Sequence, residues 1–136
     1  MQKFKPVNKL EKLLIKAAKK PAAREKFYKE LLGADVYAIP LNRPAIRGGT
    51  AMQDEKLQLM GYIHNDVFFI AFYSSEERVG EANSVGTGYL KLKATDFFKL
   101  TRGSCLVLNP NSALGKEFTP PEIDGLMQAE LNKNID

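Results

Sequence analysis

The chain has 136 residues, 44% hydrophobic and 26% charged, with one cysteine, one histidine and no tryptophan. This composition is that of an ordinary globular protein and excludes disordered, collagen-like and coiled-coil classes, while the length implies one domain over residues 1–136 with a core that needs neither disulfides nor metal. The net charge of +4 is unevenly placed: residues 1–32 carry ten Lys/Arg against three Asp/Glu, residues 33–118 carry nine of each, and residues 119–136 carry one against four.

Asn8 and Glu11 stand three apart before an apolar-periodic stretch, the pattern of a helix N-cap and its capping-box partner. Leu10, Leu13, Leu14, Ala17 and Ala18 form one stripe of that helix, and Lys9, Lys12, Lys16, Lys19 and Lys20 fall opposite. Pro21 stops it and opens a second helix, whose buried side is Phe27, Tyr28, Leu31 and Leu32, with Gly33 at the position of a left-handed cap. Residues 36–39 read as a short strand. Residues 57–63 and 67–73 read as a hairpin joined by His64, Asn65 and Asp66, the second strand apolar on both faces and so expected mid-sheet. Leu90 and Leu92 alternate with Lys91 and Lys93 as in a strand with one wet face. Thr95 is placed to cap a short helix bearing Phe97, Phe98 and Leu100 and ended by Gly103. Residues 105–108 form a further buried strand. Thr119, Pro120, Pro121 and Glu122 give a strong helix start, with Ile123, Leu126, Met127 and Leu131 as the apolar face. Two polar loops remain, about 41–56 and 74–88, longer than compact domains usually carry without a binding role. The expected fold is α+β: a mixed sheet of about five strands with an N-terminal helix pair, a short helix and a C-terminal helix packed on it.

Chemistry-bearing patterns are sparse. A lone Cys105 excludes disulfides and thiolate metal cages, and it lies in an apolar strand, where a thiol is an inert filler rather than a nucleophile. His64 lacks a local serine or cysteine partner. Residues 109–117 follow a strand and contain Gly115-Lys116, but Pro110 replaces the first glycine of a phosphate loop and Glu117 its Ser/Thr. The cluster Glu76, Glu77, Arg78 reads as a solvated loop or short helix start. No metal, cofactor or catalytic residue is expected. The longest apolar run, 67–73, is far below the roughly 18 residues of a membrane span. The N-terminus lacks a secretory pattern, so a cytoplasmic protein, mature as written, is expected.

Three patches resemble one known family. They are Asn8-Lys-Leu-Glu-Lys-Leu-Leu, continuing through Ala17, Pro21, Arg24, Phe27, Leu31, Leu32, Val36 and Tyr37; the run Phe72-Tyr-Ser-Ser-Glu-Glu-Arg78; and the run from Leu106 through Asn109-Pro-Asn-Ser-Ala-Leu-Gly-Lys-Glu-Phe-Thr-Pro-Pro to Glu122 and Ile123. In order and extent they are similar to the N-terminal domain family of the enhanced-serine-sensitivity protein SseB, with Tyr73 where threonine is common and Asn111 where glycine is common. The resemblance implies a bacterial cytoplasmic α+β domain without an established catalytic activity, named for a serine-sensitivity phenotype. Larger members carry a second, C-terminal domain, which is not expected within these 136 residues.

The leading expectation is a non-enzymatic module that binds another protein through Glu76, Glu77, Arg78, Asn109, Asn111, Lys116 and Glu117. The alternatives are a nucleic-acid or anionic-surface binder using the basic N-terminal helix, and a metabolite-sensing domain with a pocket under loop 41–56. Nucleic acid is the weaker partner because no aromatics interleave with the lysines for base stacking. Homo-oligomerisation is compatible with the sequence. The acidic last helix is expected to lie beside the basic first one.

Overall fold

The computed structural model describes residues 5–41, 58–82, 88–110 and 112–133. The expected loop 41–56, with the pocket beneath it, falls almost wholly outside these residues.

Helix α1, Lys9–Lys19, starts where Asn8 Oδ1 accepts the Glu11 N–H at 2.9 Å, the N-cap bond that satisfies an otherwise orphan donor. Pro21 opens a one-turn 3₁₀ segment, Pro21–Ala23, and α2 follows over Arg24–Leu32. Gly33 ends α2 at φ −97°, so the expected left-handed cap does not form. The strands are β1 (Asp35–Ala38), β2 (Gly61–His64), β3 (Val67–Phe72), β4 (Leu90–Lys93), β5 (Cys105–Leu108) and β6 (Lys116–Phe118). The remaining helices are α3 (Glu76–Ala82), α4 (Ala94–Leu100) and α5 (Pro120–Lys133).

Among the described residues the strands form two sheets instead of one. β1 and β4 make an antiparallel pair, and β2-β3-β5-β6 make a mixed sheet in which β3 and β5 run parallel. Reciprocal backbone bonds between Tyr37 and Tyr73, at 3.0 and 2.8 Å, tie the pair to the sheet. β6 was not expected, because three residues with two charges carry no strand periodicity; it forms by antiparallel pairing with β5. α3 lies within the expected loop 74–88. The Ser75 hydroxyl accepts the Arg78 N–H at 3.3 Å, and Glu76 and Glu77 place negative charge at the positive end of the helix. α4 begins one residue before Thr95, with Lys93 at the N-cap and no side-chain cap bond. The hairpin turn is two residues, Asn65 and Asp66, both at positive φ, and His64 pairs with Val67 inside the strands.

The mixed sheet is covered on both faces for most of its length. One face packs Phe72, Leu106, Leu108 and Phe118 against Leu14, Phe27, Leu31, Phe97, Phe98 and Ile123 from the helices. The other carries Phe69, Ala71, Tyr73 and Val107 beneath Val79 of α3, with Ile39 and Tyr89. β3 is mid-sheet as expected, but only its second half is covered: Val67 and Phe68 remain 41% and 52% exposed. α5 packs against α2, with Leu126 beside Tyr28 and Leu32, so the acidic last helix neighbours the second helix.

Phe72 is the hub of the larger core, its ring centroid 5.1, 5.9 and 5.9 Å from those of Phe97, Phe98 and Phe118. Phe72→Ala is expected to lower unfolding free energy by about 3–5 kcal/mol in urea titrations. Phe68→Ala, at the exposed end of the same strand, is expected to cost less than about 1 kcal/mol. Similar losses for both would show that the hub is misplaced.

Candidate functional site

The three sequence patches meet in space, but around a residue read only as a capping partner. Glu11 is wholly buried in the first turn of α1. Its Oε1 accepts the Val7 N–H at 3.0 Å and Arg78 Nη2 at 3.1 Å, and its Oε2 accepts the Ser74 hydroxyl at 2.6 Å. Ser74 and Asn109 lie just past the C-terminal ends of parallel neighbours β3 and β5, which brings them together. The Ser74 N–H donates to Asn109 Oδ1 at 3.1 Å, and Asn109 Nδ2 donates to Ser74 Oγ at 2.8 Å. Asn8 Nδ2 adds a bond to the Ser74 carbonyl at 2.9 Å. Arg78 also donates to the Lys5 carbonyl and, through Nη1, to Glu81 Oε1 at 3.0 Å.

The electrostatics follow from this geometry. Burial opposes the Glu11 carboxylate, but hydrogen bonds from Ser74, Ser75, the Val7 N–H and Arg78 outweigh it and hold its pKa below the ordinary value. Burial likewise opposes the Arg78 charge, and Glu11 and Glu81 outweigh it, raising the guanidinium pKa. Both oxygens of Glu11 are engaged by the protein itself, so the network locks α1, the start of α3 and the end of β5 together.

The third patch specifies a turn. Asn109 takes a left-handed conformation, φ 50°, which asparagine tolerates better than most residues. The Ser112 hydroxyl bonds the Asn109 carbonyl at 2.8 Å. A Cβ on Gly115 would fall 3.0 Å from the Asn109 carbonyl oxygen and 3.1 Å from that of Leu108, so a larger residue would press on the turn's backbone.

The candidate residues therefore separate into different places. Arg78 and Asn109 join through Ser74 and Glu11 and are 8% and 1% exposed. Glu76 and Glu77 are exposed in the first turn of α3, where they help, after burial, to raise the Tyr37 pKa. Asn111 lies outside the described residues. Lys116 and Glu117 alternate across β6. Lys116 Nζ meets Glu122 Oε2 at 3.3 Å and sits 4.6 Å from the Phe118 ring centroid. Glu117 Oε2 takes the Tyr62 hydroxyl at 2.6 Å and lies 2.6 Å from His64 Nδ1.

This last cluster is the solvent-facing polar site. The Tyr62 and His64 rings stack with centroids 6.2 Å apart, and both contact Phe69 beneath. The Tyr62 hydroxyl bond, helped by His64, holds the Glu117 pKa below its ordinary value, and the same bond raises that of Tyr62. Such an arrangement fixes the orientation of two rings at the sheet surface. Tyr62 and His64 were not identified from sequence, because the pairing that brings β2 across β3 and β5 to β6 has no local signature. Glu11 and Ser74 had one: an acid at helix spacing from Asn8, and a serine adjoining the Ser-Glu-Glu-Arg run.

Stability should report the network through pH. A carboxyl whose folded pKa is depressed contributes stability that is complete above the ordinary value of 4.5 and is lost as pH falls through the lower folded pKa. The stability difference between the native chain and Glu11→Gln is therefore expected to be largest near neutrality and to shrink on acidification below 4.5. A pH-independent difference in urea midpoints would overturn this role. Arg78→Met, which leaves the carboxylate uncompensated, is expected to cost about 3–5 kcal/mol at neutral pH.

Comparison with known proteins agrees with this picture of shared motifs holding one fold together. Protein SseB of Escherichia coli (strain K12) and Protein SseB of Shigella flexneri are each 34% identical to the chain over 126 residues, covering 92% of this chain and 48% of each relative. The chain thus spans about half the length of the curated relatives it matches. No solved structure matches. The family model for the SseB protein N-terminal domain matches residues 10–124, a span that holds Glu11, Ser74, Arg78 and Asn109, and the chain belongs to that family.

Proposed function

We propose that this chain is a non-enzymatic, cytoplasmic module that binds another protein, and that the partner adds an extended segment along the outer edge of β2. The observation that carries the reading is the exposed hairpin: Ile63 and Phe68, paired across β2 and β3, are 70% and 52% exposed on one face, and Tyr62 and Val67 are partly exposed on the other. Exposed apolar and aromatic side chains on both faces of a hairpin end favour a protein partner.

The edge itself favours a strand. With a two-residue turn, His64 and Val67 form the hydrogen-bonded pair, so Ile63 and Gly61 turn their N–H and C=O groups outward. The chain's own backbone uses this edge only as far as Met60, whose N–H donates to the Ile39 carbonyl at 2.8 Å. Among the described residues nothing pairs with the outer side of Gly61–His64. β2 carries no lysine, proline or carboxylate, the devices that usually protect an edge, whereas the opposite edge, β6, carries Lys116 and Glu117. Of the residues expected to face a partner, Lys116 and Glu117 are half-buried on the opposite edge strand, and Glu117 holds the Tyr62 and His64 rings in place.

Capture from cell lysate should recover a partner with the native chain and lose it with Ile63→Lys, while Leu131→Lys, another exposed apolar position, retains it. The recovered partner should slow amide exchange at Gly61 and Ile63. Equal recovery by Ile63→Lys, or protection confined elsewhere, would overturn the assignment.

A further inference from the structure

A second surface arises where α1 meets α2. A groove of about 730 Å³ runs between them, and Lys9, Lys16, Lys20, Lys26 and Lys29 line it above a floor that includes Leu13. Glu30 is the one acid in this lining; it meets Lys9 Nζ at 3.5 Å in an exposed pair. Among the described residues the other four lysines have no carboxylate partner. The spacing along α1 put its lysines opposite the apolar stripe, as a solvated face would have them. Folding α2 back across the break at Pro21 changes their setting, because Lys26 and Lys29 then form the second wall of one concavity. Like charges brought together in this way repel, and an anionic occupant relieves that repulsion.

We propose that this groove docks an acidic amphipathic segment of a partner protein, its carboxylates on the lysine walls and its apolar side chains on the Leu13 floor. Charge complementarity selects the sign of the occupant, since five cations face one acid. The floor selects a polypeptide: phosphate backbones have no apolar side chains to place on Leu13, and the lining offers neither aromatic rings for base stacking nor arginine forks. A flat anionic membrane would leave the concavity unfilled. The groove shares no residue with the β2 hairpin surface, so the two readings stand or fall separately.

The test uses the full chain and a fluorescent peptide of glutamates and leucines about four helical turns long, with leucines on one face. The native chain should bind it, more weakly as salt rises. Lys16→Glu/Lys26→Glu should weaken binding by about tenfold or more, as removal of close charge partners does. Lys91→Glu/Lys93→Glu, an equal charge change on the wet face of β4, should leave it within about twofold. An all-glutamate peptide should bind less tightly than the amphipathic one. Melting curves check that the variants fold; if the double variant fails, Lys16→Gln and Lys26→Gln singly replace it, each with a smaller loss. Equal losses from both charge reversals would overturn the proposal. So would tighter binding of a single-stranded oligonucleotide of equal charge or of anionic vesicles.

Discussion

Glu11 is a carboxylate with no exposure to water, and a buried charge is tolerated only when it is paired and fully hydrogen-bonded. Its partners come from near and far along the chain: Val7 beside it, Ser74 and Arg78 from either end of the β3–α3 junction, and Asn109 one bond further on. Each sits where a strand or helix begins or ends. The first helix therefore cannot shift along the sheet without stranding a charge, and the parallel pair β3–β5 cannot slip in register without separating Ser74 from Asn109. The apolar cores drive collapse, but apolar burial is non-directional; this network selects one arrangement of the layers.

The same economy of polar groups explains where contact with other molecules is left open. Arg78 and Asn109, from the second and third family patches, were expected to face a partner, and both are turned inward. What remains at the surface is the hairpin with Ile63 and Phe68, the Tyr62–His64–Glu117 cluster behind it, and the lysine walls between α1 and α2. A Cβ on Gly61 would collide with the Phe69 carbonyl and the Phe68 ring, so glycine at this position lets β3 approach the edge strand closely. The protein thus keeps the Glu11–Arg78 pair for internal order and presents apolar and cationic surfaces outward.

Much of the local structure was legible from residues near one another. Asn8 capping α1, Thr119 and Glu122 forming a reciprocal capping box on α5, Pro21 breaking the helix pair, and Leu90 and Leu92 buried against wet lysines all follow from local geometry. The elements that escaped have non-local causes. β6 exists because β5 offers it backbone partners, and α3 because Val79 has a core to enter and Glu11 a place for Arg78. The same holds for the site: Glu117 gave no sign of Tyr62, whose strand lies three places away across the sheet.

The opening charge asymmetry shows the division most clearly. Sequence alone determined the α+β class, the family, the helix caps and the placement of ten basic residues in the first 32 positions, because each depends on composition, spacing or short-range hydrogen bonds. Only tertiary structure decided that Glu11 is a buried anchor instead of a capping accessory, and that Lys16 and Lys26 line one groove. Both outcomes depend on how helices fold back on one another and on the sheet, and that is set by burial and pairing across the chain rather than along it.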